Sequence, residues 1–234
     1  MDHLDHHKYG LARFFANVYQ YLGIGLCITG LTAWATANTS LFDIIFHNQT
    51  NAFILIAAAM LSIRYATYNM LNMSIQAAHL WFLAITMIEG VFISYVFRLY
   101  TNESVAIAFF VSAFILIVSS QYGKNTNSDL TSGLRLAYTI LLGFCMLNLI
   151  TLGLYLLGAF GVNAPTLRFT SWLVSLAIVV LAPITISGFS QQLTMIYNQN
   201  QSQNTAILGA LILFLEFINL FVSLLRLFGS RRND

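Results

Sequence analysis

The chain has 234 residues, 58% of them hydrophobic and only 8% charged, whereas a soluble domain carries about 25% charged residues. Too little polar surface is available to coat a water-soluble globule. The net charge is +2, and the ten Lys and Arg form no basic stripe that could follow a phosphate backbone, so a soluble enzyme and a nucleic-acid partner are both excluded.

In chain order, residues 1–13 read as an N-terminal tail, 14–229 as a seven-helix transmembrane domain and 230–234 as a C-terminal tail. The tail holds His3, His6, His7 and Lys8 with Asp2 and Asp5. Such histidines can bind a metal, but here they read as incidental members of a solvated tail. The apolar run that follows has no small-residue cleavage site, so a retained first span is expected rather than a signal peptide.

Crossing a hydrocarbon core of about 30 Å takes about 20 apolar residues in a helix. Seven segments approach that length: Phe14–Ala35, Ala52–Tyr68, Ala77–Phe97, Val105–Tyr122, Leu134–Phe160, Ser171–Phe189 and Ala206–Phe228. The second is the weakest, because Arg64 follows Ile63; a snorkelling side chain at the end of a span explains that arginine, and an ion pair is the alternative. Cys27 and Cys145 sit inside apolar runs and read as packing residues, not a disulfide. The connections are short and polar, such as Gly123–Ser132 and the uncharged Asn198–Thr205. The ~10-residue alternating stretches of a membrane barrel are missing. Pro183 should kink the sixth span or free a carbonyl.

Orientation is less clean. With a cytoplasmic N-terminus and seven crossings, Lys8, Arg13, Arg64, Lys124 and Arg135 lie inside against Arg98, Arg168, Arg226, Arg231 and Arg232 outside. An even split does not choose a side. If a late segment such as the kinked sixth dips in and returns, the last three arginines move inside. Both topologies stay open.

Two acids lie deep within spans, Glu89 in the third and Glu216 in the seventh. An ionised carboxylate there costs at least about 2.5–3.5 kcal/mol, so each should be neutral, paired or facing a polar interior. Each is a candidate proton-responsive group, and the alternative is a neutral side chain that merely satisfies its neighbours. Gly209, Glu216, Asn219, Ser223 and Arg226 share one helical face. That stripe is expected inside the bundle, lining a polar pathway. The sequence carries no Schiff-base lysine in a span, no paired axial histidines beside His79, no intramembrane aspartate pair and no phosphate loop.

The C-terminal run Leu213-Phe214-Leu215-Glu216-Phe217-Ile218-Asn219-Leu220-Phe221, then Leu224-Leu225-Arg226-Leu227-Phe228-Gly229, closely resembles the signature of the Bax inhibitor-1 family, with Glu216 at its aspartate position. Val18-Tyr19-Gln20-Tyr21 with Ile28-Thr29-Gly30-Leu31-Thr32-Ala33 resembles the family's first span, and Tyr122-Gly123 through Asp129-Leu130-Thr131-Ser132 its fourth-to-fifth connection. The resemblance implies an all-α membrane fold, six helices wrapped around a central C-terminal seventh, and a pH-sensitive calcium leak governed by two aspartates. One departure stands out. The sixth-span motif aromatic-Asp-Thr-Gln is here Gly188-Phe189-Ser190-Gln191, so either Phe189 or Gly188 occupies the aspartate position and the first carboxylate is missing.

The expectation is therefore a non-enzymatic membrane protein that conducts or modulates cation movement, with Glu216, Asn219, Glu89 and Arg64 as the ion-pathway or proton-responsive residues. Its partners would be the lipid bilayer and calcium or protons, with no cofactor other than a calcium ion. The rival is a non-conducting regulator that binds a membrane protease or another membrane protein. Short tails and the lack of a cleavable signal fit a bacterial inner membrane.

Overall fold

The computed structural model describes residues 2–47, 49–156, 163–199 and 201–232. The end of the fifth expected span at Phe160 and the side chains of the histidine-bearing tail lie outside the described residues. Among those described, the chain folds into α1 (Asp2–Ala37), α2 (Leu41–Phe46), α3 (Gln49–Asn69), a 3₁₀ turn (Met70–Asn72), α4 (Ile75–Leu99), α5 (Asn102–Asn125), α6 (Thr131–Leu156), α7 (Ala164–Gln199) and α8 (Gln203–Phe228). Among the described residues, strand geometry is confined to a single bridge between Tyr100 and Arg231. Seven helices, all but α2, are long and apolar enough to cross a membrane. This is an all-α multi-pass membrane protein.

Helix ends follow local chemistry more than hydropathy. Ser74, in an extended conformation, caps α4 by accepting the Ala77 N–H. Asn163 accepts both the N–H and the hydroxyl of Thr166, and Pro165 pre-sets the first turn of α7. That helix runs for 36 residues without a break at Pro183. It therefore outruns the expected Ser171–Phe189 at both ends, because polar Gln191, Gln192 and Asn198 continue a helix where hydropathy alone marks its apolar limit. A sixth segment that dips and returns has no hinge in this helix. Likewise Arg64 does not end the second span, since α3 runs on to Asn69.

The described residues group into two compact units. The first holds Met1–Thr101, Gln192–Leu215 and Arg231–Asp234. Within it α4 lies close on α1: a Cβ on Gly90 would fall 2.8 Å from the Thr29 carbonyl oxygen, so only glycine admits this approach. The Thr29 hydroxyl donates to the Thr86 carbonyl at 2.9 Å across the same seam. Close backbones and interhelical hydrogen bonds drive helix association where lipid removes the hydrophobic drive. At the end of α4, Arg98 donates to the Ala37 carbonyl, pairs with Asp43 at 3.2 Å and covers the Phe42 ring.

The second unit holds Asn102–Gln191 and Glu216–Ser230. Here α5 and α7 touch backbone to backbone at Gly123 and Ser187. The Ser187 hydroxyl donates to the Ser119 carbonyl at 2.9 Å, and Ser190 donates to the Ser120 hydroxyl at 2.8 Å. Phe109 of α5 meets Phe217 of α8 edge to face. Gln191 closes the connection before α6, accepting the Leu130 N–H and donating to the Ser128 carbonyl.

Candidate functional site

Helix α8 carries the deepest burial of the seven spans: 72% of its core window is buried, against 11% for α6. Phe214, Leu211, Leu213 and Leu220 on it are fully buried. Its polar stripe, however, does not turn uniformly inward. Gly209 is packed under Leu193 and Val18, and Ser223 is buried, whereas Asn219 and Arg226 are exposed and Glu216 is half-buried. Leu and Phe side chains make up most of the buried residues of α8. Arg226 reaches the Ser171 carbonyl at 3.4 Å.

Glu216 is the centre of a hydroxyl cluster within the second unit. The Tyr138 hydroxyl of α6 donates to its Oε1 at 2.8 Å, and the Thr185 hydroxyl of α7 donates to its Oε2 at 2.7 Å. When Glu216 is ionised, such bonds are charge-assisted and about twice as strong as neutral ones. Phe189, one turn beyond Thr185, sets its ring edge to face on Tyr138 with centroids 5.4 Å apart. Gly188 packs against Leu134, whose Cβ would lie 2.9 Å from an added Cβ. Of the two positions that could align with the missing aspartate, Phe189 has a ring contact with Tyr138 of the Glu216 shell.

The remaining candidates stand apart from any such shell. Glu89 and Arg64 belong to the first unit, and neither side chain makes a hydrogen bond or ion pair among the described residues. Glu89 is half-buried beside the Gly90 seam, and Arg64 is exposed on α3. Asn219 lies one turn from Glu216 with its amide open. No group of three His, Cys, Asp or Glu side chains suited to a metal occurs among the described residues. Sequence reasoning missed Tyr138 and Thr185, because single hydroxyls in apolar helices announce a partner only when the partner helix is in place. Outside the spans, Asp129 accepts the Thr131 N–H at the start of α6. The Thr131 side chain and then its backbone N–H hold this carboxyl below the usual aspartate range.

These features define a class: a polytopic helical membrane protein with a carboxylate gripped by hydroxyls inside its spans. The chain belongs to the Bax inhibitor-1 family, since the family profile described as "Inhibitor of apoptosis-promoting Bax1" matches residues 11–233. It is 29% identical to the inner membrane protein YbhL of Escherichia coli (strain K12) over 95% of this chain and 94% of that protein. It is also 29% identical to an uncharacterized protein of Rickettsia prowazekii (strain Madrid E), over 96% of this chain and 92% of the relative. An uncharacterized membrane protein of Streptococcus pyogenes serotype M1 shows the same identity over 96% and 95%. The apolar helices and these relatives fit a multi-pass protein of the inner membrane.

Proposed function

We propose that this protein conducts or modulates cation movement across its membrane, with Glu216 as the group whose charge state controls it. The observation that carries this reading is the carboxylate itself: it sits within an apolar span, half-buried, with a hydroxyl on each oxygen and the open amide of Asn219 one turn away. Ionisable side chains within membrane spans are rare and costly, and they mark ion or proton paths. Calcium is the cation that the family resemblance implies. In this reading the protein is not an enzyme and holds no cofactor, and the burial of α8 supports its role as the inner helix.

A second reading has its own support. Phe189 or Gly188 stands where the family resemblance places a carboxylate, and losing one acid favours a non-conducting regulator that binds a membrane protease or another membrane protein. Calcium flux through proteoliposomes, with partner co-purification measured on the same Glu216→Gln preparation, separates the two. Conduction requires flux that loses its pH dependence in the variant. A regulator shows no flux at all and keeps its partner.

A further inference from the structure

The two hydroxyls on Glu216 are not equivalent. Tyr138 directs its one hydrogen at Oε1. Thr185 Oγ1 lies 2.7 Å from Glu216 Oε2 and 3.1 Å from the Ala182 carbonyl oxygen. A hydroxyl has one hydrogen and two lone pairs, so Thr185 donates to one of these oxygens at a time. With Glu216 ionised, it donates to Oε2. With a proton on Oε2, the new O–H donates to Thr185 Oγ1 and the threonine hydrogen turns to Ala182. One proton has been added, one hydroxyl has rotated, and every polar atom keeps a partner.

The same shell is poorly suited to holding a cation. Calcium takes six to eight oxygen ligands, and its affinity follows the number of charged ones. Here one carboxylate is present, and both of its oxygens already accept hydroxyl hydrogens. Around Glu216, α6 contributes Tyr138, α7 contributes Thr185 and Phe189, and α5 brings Phe109 to the adjoining Phe217. On α8 itself the charged group is Arg226, turned to the Ser171 carbonyl. Tyr138 is thus the titratable side chain in contact with Glu216 among the described residues. Being 38% exposed, it needs something to hold its rotamer, and the Phe189 ring is placed to do so.

We infer that Tyr138, braced by Phe189, is a positioning residue that clamps Glu216 Oε1, so that Glu216 exchanges a single proton against Thr185 and does not serve as a cation ligand. This rests on the reading of Glu216 as the responsive group. Infrared difference spectra of the full chain in lipid, taken between acid and alkaline pH, test it, with the Glu216 band assigned by its loss in Glu216→Gln. Tyr138→Phe should move the carboxyl C=O band to higher wavenumber, because Oε1 loses its donor, and change the proton affinity about tenfold, the scale of one charge-assisted hydrogen bond. Phe189→Leu should move the band the same way by less, and it carries the test if Tyr138→Phe does not fold. Added calcium should leave the carboxylate stretch unchanged. A shifted band in a protein with no ion flux would support the clamp while removing the proposed conduction. A band that both variants leave in place, or one that calcium displaces, would overturn the inference.

Discussion

Glu89 and Glu216 look alike in the sequence, each a lone acid in an apolar span, yet the two compact units treat them differently. The second unit surrounds Glu216 with Tyr138, Thr185 and a bracing Phe189. The first leaves the Glu89 side chain without a hydrogen bond among the described residues and spends its polar contacts on the neighbouring α1–α4 seam, at Thr29 and Thr86. A sequence shows where a charge is costly. Which acid has been given a working environment depends on hydroxyls supplied by other helices.

The strongest way to probe this contrast is to add a second acid on either side of the ambiguous motif. Gly188→Asp should destabilise the protein by about 1–3 kcal/mol, since the new side chain meets Leu134. Phe189→Asp should fold and place a carboxyl beside Tyr138, so that a one-step pH response becomes two coupled steps. Thermal unfolding in detergent checks the first, and ion flux against pH checks the second. Equal tolerance of both would show that Phe189 is not the position facing the cluster.

Removing one hydroxyl should have a smaller effect. Thr185→Val keeps the shape but leaves Oε2 without its partner, and should destabilise the protein by about 1–3 kcal/mol, while Thr185→Ser restores most of the loss. Chemical unfolding of the three proteins in the same lipid decides it. A silent Thr185→Val would reduce Glu216 to the standing of Glu89.

The smallest effect lies outside the membrane and serves as a control. Asp129 has its carboxyl held below the ordinary range by Thr131, so the folded state binds its proton less readily than the unfolded chain does. Its contribution is present above the usual aspartate pKa of about 3.9 and is lost as pH falls through the depressed value. Asp129→Ala should therefore weaken the start of α6 slightly at neutral pH and converge with the wild type in acid. Hydrogen exchange of the Thr131 amide measures this.

Much of the fold was legible because the bilayer imposes a length and a composition on each span. All seven segments were found, and the weak α3 segment is indeed a helix. Ends were less legible, because α7 continues through Pro183 and through polar Gln191 and Gln192, which hydropathy treats as a boundary. The site was legible only in part. Glu216 announced itself by the cost of its charge, but Tyr138 and Thr185 come from distant parts of the chain and follow no helical period with it. The polar stripe of α8 is mixed, with Gly209 and Ser223 buried and Asn219 and Arg226 exposed, a difference that helical periodicity alone does not reveal.

The central claim is that one intramembrane glutamate governs the protein and the other does not. Ion flux through proteoliposomes, measured from mildly acidic to mildly alkaline pH for the wild type, Glu216→Gln and Glu89→Gln, tests it most directly. The account expects a pH-dependent flux that Glu89→Gln retains and Glu216→Gln flattens. A flattened profile in Glu89→Gln with an intact one in Glu216→Gln would contradict it.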